Sequence, residues 1–421
     1  MFIEVGGNMN KISKILYYLI CVYVITLPII NDKMGIVGKL PDIILISTIL
    51  IFVIYSLINK ENRKNLYLNI KNFITSFLGA VLVILTILML ISTTYATERA
   101  LAIKEAVRFI TYIGLIFIIK YEIKEKKNIK NIIKCFIGTT TILCIYGIIQ
   151  YFTKVGLNPT FISEQGTRIT ATMENPNGLG AYLVLSFFPI FMLVFDECNK
   201  KKKAFYVAIS LLMIANILLT GSRNATVGFM IGLLILAILY NYKIVAVFIL
   251  CIPVFFLDKS LSNRFLNIKE SVLNDPRIKL WKVAIKMIKE HPIKGVGNGN
   301  YVALYDEYVL KYPELAYGDY HRFSSHNSYL KVQSELGILG IVTFLLVIIA
   351  SIKNVIKVYK NTEDKMYKLF FMGVMASIVA FLAMNLLDNL FFSPQTTTYF
   401  WLFIALAESI LFNEKINIDK K

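Results

Sequence analysis

Of the three histidines in this 421-residue chain, His326 is the one whose surroundings could do chemistry. It lies in the stretch from Ser324 to Gly340, SSHNSYLKVQSELGILG, where a long polar segment re-enters an apolar run. An imidazole can take up a proton near neutral pH, which suits a general base acting on a hydroxyl group. Asn327 and Ser328 beside it are good helix N-cap residues, so the same stretch also reads as a plain helix start. Arginines offer a second chemistry. A guanidinium keeps its charge and presents a fork of donors that meets phosphate oxygens two at a time. Three arginines stand in suggestive contexts: Arg223 in TGSRNAT, Arg277 in RIKLWKVAIKMIKEHP, and Arg168 in RITATMENPNGLGAYL. The chain has no HExxH, CxxC or acidic Gly-rich calcium loop, and Asp306, Glu307 and Asp319 lack ligand spacing, so no metal site is expected. GVGNGN, from Gly295 to Asn300, follows no predicted strand and implies no dinucleotide; no cofactor is expected.

The elements that must position these residues are apolar helices. Hydrophobic residues make up 57% of the chain, and the mean hydropathy is +0.63. That composition belongs to an integral membrane protein, with the lipid bilayer as its first partner. The net charge of +18 could suggest nucleic acid. Its placement argues otherwise, because the lysines cluster between apolar runs as they do in cytoplasmic loops, and no nucleic-acid partner is expected. Runs long enough to span occur near 15–30, 41–58, 73–92, 103–119, 132–152, 177–195, 204–219, 225–240, 244–257, 328–350, 369–386 and 397–412, about twelve transmembrane helices in all. With both termini cytoplasmic, roughly twenty-four basic residues fall in inside segments against about seven in short outside loops. The clusters Lys200–Lys203 and Lys353–Lys368 then share one side, which needs an even number of spans between them. The loop 258–327, between the ninth and tenth spans, is left as one long extracytoplasmic segment in a single membrane domain covering 1–421. No cysteine falls in a predicted external loop, so no structural disulfide is expected.

Within that loop, Asp275 can cap and Pro276 suits the first turn of an amphipathic helix. On a helical wheel Trp281, Ala284, Ile285 and Ile288 share one face, and Lys279, Lys282, Lys286 and Lys289 the other. Arg277 falls on the apolar side, where it needs a partner: a phosphate, a carboxylate, or water reached by snorkelling. His291 before Pro292 is a helix stop. Tyr301, Tyr305, Tyr308 and Tyr312 recur at helical spacing and read first as interface anchors, with sugar stacking as the alternative. Asn175-Pro176-Asn177-Gly178 is a helix-entry turn. Glu105, Arg108, Lys134, Lys331, Glu335, Asp388 and Glu408 lie in or near spans and should face the bundle interior or water; Lys331 and Glu335, four apart, can pair.

The spacing of His326, Asn327, Gly337 and Gly340 resembles the H-[NSQ]-x9-G-x-x-G signature of the bacterial O-antigen ligases. These are polytopic membrane enzymes, grouped with the O-antigen polymerases, that transfer glycans from a polyprenyl-diphosphate carrier. Three further stretches are similar to that family. Arg277 through Trp281 to His291-Pro292 and Gly295-Val296-Gly297 resembles its R-x3-W…HP-x-x-G-x-G segment. Arg168 with Asn175-Pro176-Asn177 resembles its R…NPN-x-x-A-x-x-L stretch, and Ser222-Arg223 its Ser-Arg-Gly-like hairpin, with Asn224 where glycine is common. The resemblance implies an all-α polytopic membrane fold like that of polyprenyl-phosphate-sugar transferases, with the ligase-like core at about 160–390. It also implies an inverting, metal-independent glycosyltransferase working on the outer face of the bacterial plasma membrane. His326 would be the base, and Arg277 and Arg223 would meet the charge of the departing undecaprenyl diphosphate. Arg168 and Asn327 would be further substrate-binding residues. The acceptor stays open between a lipid-linked core sugar, a second carrier-linked repeat (a repeat-unit polymerase) and a protein hydroxyl (a protein O-oligosaccharyltransferase). A lipid-linked-oligosaccharide flippase is the alternative outside the class, although no matching pair of Gly/Pro-broken spans supports transport.

Overall fold

The computed structural model of the protein describes residues 11–30, 34–163, 166–244 and 276–418. The described helices are α1 Lys11–Ile29, α2 Leu40–Ile58, α3 Lys60–Thr75, α4 Phe77–Ser92, α5 Arg99–Glu122, α6 Lys126–Thr153, α7 Pro176–Met192, α8 Lys200–Leu219, α9 Arg223–Leu239, α10 Arg277–Glu290, α11 Tyr301–Lys311, α12 Ser328–Asn361, α13 Lys365–Met384 and α14 Pro394–Ile418. A short antiparallel pair, β1 Ile162–Ser163 and β2 Gly166–Thr167, lies between α6 and α7. The fold is all-α and polytopic. Seven of the described helices are long and apolar enough to cross a membrane, or eight if α3 and α4 count as one bent span. The helices α5 and α14 carry ionisable groups that pair with one another: Arg108 with Glu105 at 3.0 Å, part-buried, and Lys120 with Glu408 at 2.6 Å, buried. Lys134 departs from the expectation of an inward-facing charge. It is exposed near the start of α6, beside Asn131. The run at 244–257 and the loop from Asp258 to Asp275 fall almost wholly outside the described residues.

Polar residues at the ends of apolar runs set the helix starts. Side chains of Ser76, Asn175, Asn199, Ser222, Asn327 and Asp364 each accept a backbone N–H of the first turn, satisfying donors that the helix itself leaves free. The Asn-Pro-Asn-Gly turn behaves as its sequence requires, with Asn175 accepting from Gly178 and Pro176 opening α7. Helix α7 is the axis of the bundle, and nearly every one of its residues is buried. It packs against α13 and α9 through small residues. A Cβ at Gly373 would stand 2.4 Å from the Phe188 carbonyl oxygen, so only glycine allows that approach of α13.

The basic clusters gather at one end of the bundle. Lys130 pairs with Asp364 at 2.8 Å, Lys365 with Asp196 at 3.9 Å, and the Tyr367 hydroxyl donates to the Lys126 carbonyl. At the other end sits the segment 276–327, which has a small core of its own. Its buried residues are Leu280, Val283, Ala284, Met287, Val296, Tyr301, Tyr305, Tyr308 and Leu315. Two expectations need correction here. The buried face of α10 is centred on Leu280, Val283, Ala284 and Met287, while Ile285 is exposed, so the helix is rotated from the face drawn through Trp281 and Ile288. The stripe Tyr301, Tyr305 and Tyr308 is this core and not an interface girdle; each such ring removes about 150–250 Å² from water, and α10 supplies the surface that receives it. Tyr312 lies at the margin, with the Lys286 ammonium 4.2 Å from its ring centroid.

This subdomain is stitched to α12 by main-chain bonds. The helix breaks at Gly337, where φ is 65° and ψ −162°. The strip Pro292–Gly297 enters the break: Ile338 N–H donates to Pro292 O at 3.0 Å, and Val296 and Gly297 N–H donate to Ser334 and Glu335 O at 2.9 Å. A Cβ at Gly337 would stand 2.0 Å from the Ile293 carbonyl oxygen. Gly337→Ala should therefore lower stability by at least about 2 kcal/mol, from backbone strain together with the clash. Gly35→Ala is the control, since φ is +63° there and nothing lies within 4 Å of the added methyl. Thermal unfolding of both variants in detergent should show a clearly larger fall for Gly337→Ala; equal falls would rule out the steric account.

Candidate active site

Helix α13 ends at Met384, and the turn that follows, Asn385 to Asn389, leaves a row of carbonyls without helical partners. Three separated parts of the chain supply donors to this turn and to the helix end before it. From the α8–α9 hairpin, the Asn224 amide donates to Met384 O at 3.0 Å. From the head of α12, Ser328 N–H donates to Asn385 O at 2.9 Å and the Asn327 amide to Leu386 O at 3.0 Å. From the head of α10, Arg277 Nη1 donates to Leu387 O at 3.0 Å. The Ser328 hydroxyl reaches Asn385 Oδ1 at 2.6 Å, which locks α12 to the turn a second time.

His326 completes the cluster. Its Nδ1 lies 3.1 Å from Asp388 Oδ1, with 23% of the histidine side chain and 15% of the aspartate exposed, so the pair is shielded yet reachable. Burial alone would raise the Asp388 carboxyl. The hydrogen bond and charge of His326, the Asn389 N–H and the nearby Arg277 charge outweigh burial and hold it below its ordinary value. An ionised carboxylate can only accept, so Nδ1 carries hydrogen toward Asp388, and in the neutral imidazole Nε2 is the acceptor. The backbone at His326 is left-handed, with φ 47°, which is costly for a side chain of this kind. It is held there by the next residue, since Asn327 Oδ1 accepts from both Tyr329 and Leu330 N–H at 3.0 Å. The ring of Phe323 stands 5.2 Å from the imidazole, with Tyr317 and Tyr320 packed on Phe323 at 5.0 and 4.7 Å. These are the aromatic residues beside the imidazole, and the sequence stripe drew attention to different ones.

The structure thus brings His326, Asn327 and Arg277 onto one turn. Arg223 is the first residue of α9, exposed, and next to the Asn224 anchor. Asn224, a departure from glycine in sequence terms, is what ties this hairpin to the turn. Arg168 does not touch the turn. Its Nε donates to Thr220 O at 2.9 Å and its Nη2 to Asn177 Oδ1 at 3.2 Å, so it braces the β-pair against the same hairpin. The Asn327 side chain is occupied by its cap and by Leu386 O. His291 is the C-terminal cap residue of α10. Lys331 and Glu335 pair as expected, and Glu335 also accepts from Gly299 N–H at 2.9 Å and Tyr301 N–H at 3.1 Å, which makes it an anchor for the glycine-rich turn. Asp388 is the residue that sequence reasoning did not place in the site. The available signal was a carboxylate at the end of an apolar run, expensive there without a partner. Among the described residues no three His, Cys, Asp or Glu side chains group closely enough to hold a metal ion.

Residues 208–345 match the family model described as O-Antigen ligase. That stretch is similar to the O-antigen ligase family. No curated protein matches it. The matched segment covers about a third of the chain and takes in Arg223, Arg277, His326, Gly337 and Gly340. Asp388 and Arg168 lie outside it. The matched segment therefore holds the imidazole and two of the arginines, and the carboxylate that meets the imidazole comes from the turn after α13.

A carboxyl group with a depressed value in the folded state adds stability that is present above its unfolded value and lost as pH falls through the folded one. The Asp388 contribution should thus be complete above about pH 4 and disappear below that. Asp388→Asn should flatten the acid limb of the melting-temperature profile relative to wild type, and superimposable acid limbs would show that the pair adds nothing to stability.

Proposed function

We propose that this O-antigen ligase-family membrane protein transfers a glycan from an undecaprenyl-diphosphate carrier to an acceptor hydroxyl, on the outer face of the bacterial plasma membrane. The observation that carries the reading is the His326–Asp388 pair set beside Arg277 on one turn. His326 Nε2 accepts the proton of the acceptor hydroxyl, and Asp388 stabilises the resulting imidazolium. The acceptor oxygen bonds to the anomeric carbon from the face opposite the leaving group. The carbon–oxygen bond to the diphosphate breaks with its electron pair passing to the diphosphate, so the configuration inverts. Arg277 and Arg223 meet the charge that develops there. Arg277 spends one donor on Leu387 O, which fixes its direction. Arg168 and Asn327 shape the rim of the substrate site. The exposed ring of Tyr320, near Phe323 and His326, suits the apolar face of a sugar acceptor. A repeat-unit polymerase would use the same machinery with a carrier-linked acceptor, and Arg168 and Arg277, on two separate loops at this end, are compatible with it.

His326→Ala should cut transfer by about a hundred- to ten-thousand-fold while leaving donor binding nearly unchanged. Arg277→Lys, which keeps the charge and loses the fork, should still impair turnover, and Arg277→Ala should weaken donor binding as well. Single-turnover and donor-binding assays separate these effects, and EDTA should leave wild-type transfer intact. Near-normal transfer by His326→Ala would remove the base from the mechanism.

Sidedness has its own test. Cysteines at Gly318 and Lys201 are both on exposed positions, at opposite ends of the bundle. An impermeant thiol reagent applied to intact cells should label the first and spare the second; the reverse pattern would put the site in the cytoplasm.

A further inference from the structure

A cavity of about 330 Å³ opens on the subdomain, and neither His326, Arg277 nor Arg223 lines it. Four parts of the chain form it: the α4–α5 connection with Tyr95 and Thr97, the end of α10 with Glu290 and His291, the strip Lys294–Val296, and the face of α11 with Glu307 and Tyr308. Its walls are fixed within the protein. The Tyr95 hydroxyl donates to the Lys294 carbonyl, and the Lys294 ammonium stands 5.1 Å from the Tyr95 ring centroid. Tyr308 donates to Glu290 at 2.6 Å, and Lys311 pairs with the same carboxylate at 2.9 Å. These bonds hold Glu290 below the usual carboxylate range, so it stays an acceptor. The side chains of Glu307 and His291 are exposed and make no side-chain hydrogen bond among the described residues, so they are available to a ligand.

The charges decide the ligand class. Glu290 and Glu307 balance Lys294 and Lys311, so the cavity offers no excess of positive charge to a diphosphate. What it offers is fixed donors and acceptors beside aromatic edges, in a volume at the low end of small-ligand sites. A neutral polyhydroxylated chain uses both kinds of group and a ring at once. Position adds a constraint. Helix α10 has 14 residues, Arg277 at one end and Glu290 at the other, which separates the cavity from the reacting linkage by about 20 Å at 1.5 Å per residue.

We propose that this cavity is a glycan subsite that holds sugar residues distal to the reacting linkage. The inference rests on the transferase reading for what the glycan is doing there, but not on His326. The glycan can belong to the donor or to the acceptor, and the chemistry is the same.

The test uses the full chain reconstituted in lipid nanodiscs. The probe is the reducing oligosaccharide released by mild acid from the producing cells' lipid-linked glycan, free of carrier. Titration calorimetry should show that it binds wild type and His326→Ala alike. Thr97→Trp, which fills the cavity, and Glu307→Ala, which removes a free acceptor on the surface of α11, should each weaken binding at least about tenfold. No binding to wild type, or unchanged binding in both variants, would overturn the proposal. Loss of transfer by His326→Ala is read separately, so failure of the base and failure of the subsite give different results. In the transfer assay Thr97→Trp should lower kcat/KM about tenfold for whichever substrate reaches the cavity, and leave a one-sugar version of that substrate unaffected. Varying donor and acceptor in turn identifies the source, and a variant that affects neither would refute the subsite.

Discussion

The end of a buried helix has carbonyl groups that nothing in the helix can satisfy, and in a poorly hydrated interior each is expensive to leave alone. Helix α13 ends in this way at Met384. The carbonyls of Asn385, Leu386 and Leu387 find their donors on Ser328, Asn327 and Arg277, and that of Met384, which also takes the Leu387 N–H, accepts from Asn224; the four donors come from three distant parts of the chain. One requirement of backbone chemistry thus gathers the residues that the proposed reaction needs. The guanidinium is directed by a bond to the protein, and the imidazole by the cap that starts the next helix and by Asp388. A charged donor on a carbonyl is stronger than a neutral one, which makes Arg277 a firm part of the scaffold as well as a candidate for substrate.

The second dependency runs through Glu335. A carboxylate buried at the head of a spanning helix demands compensation, and it receives an ammonium from Lys331 and two backbone N–H groups from the glycine-rich turn. The subdomain is consequently bonded to α12 on both sides of the break at Gly337. A second tie joins it to the α4–α5 connection, where Arg322 pairs with Glu98 at 2.9 Å, and to the first turn of α5, where the Asn298 amide donates to Ala102 O at 3.2 Å. The segment 276–327 is thereby seated across α12 and the α4–α5 connection, and the wall it shares with Tyr95 is a product of that seating.

Much of this was legible in the residues because it is local. Asn175, Ser222 and Asn327 announce helix starts, and His291-Pro292 announces a stop, through chemistry confined to a few neighbours. The pairing of Lys331 with Glu335 needs only helical spacing. What the sequence does not disclose is which distant partner completes a local preference. Asp388 reads as a charge near a span, and only the fold brings it within reach of an imidazole 62 residues earlier. The tyrosines of α11 have the spacing of an interface girdle and of a core alike; the choice depends on whether another helix covers them, and α10 does. The rotation of α10 follows from the same cause, since its face is chosen by those tyrosines and not by its own hydrophobic balance. The right-angle bend between α3 and α4, 88°, hangs on Ser76, a cap inside the run 73–92 that the sequence offers as one span.

The turn after α13 also sets an order of events while the chain is being made. Domains and segments form from the N-terminus onward as synthesis proceeds. His326 and both arginines precede Asp388 in the chain, so they leave the ribosome before the carboxylate that orients the imidazole exists. The glycine-rich turn cannot be held until Glu335 has followed it, and α12 cannot be fastened at its head until Asn385 has been added. A nascent chain that has emerged through the matched segment 208–345 therefore still lacks the carboxylate partner of its imidazole. The turn after α13 thus acts as a completion check on the proposed site, because the His326–Asp388 pair and the fastened head of α12 form only once that turn has been made.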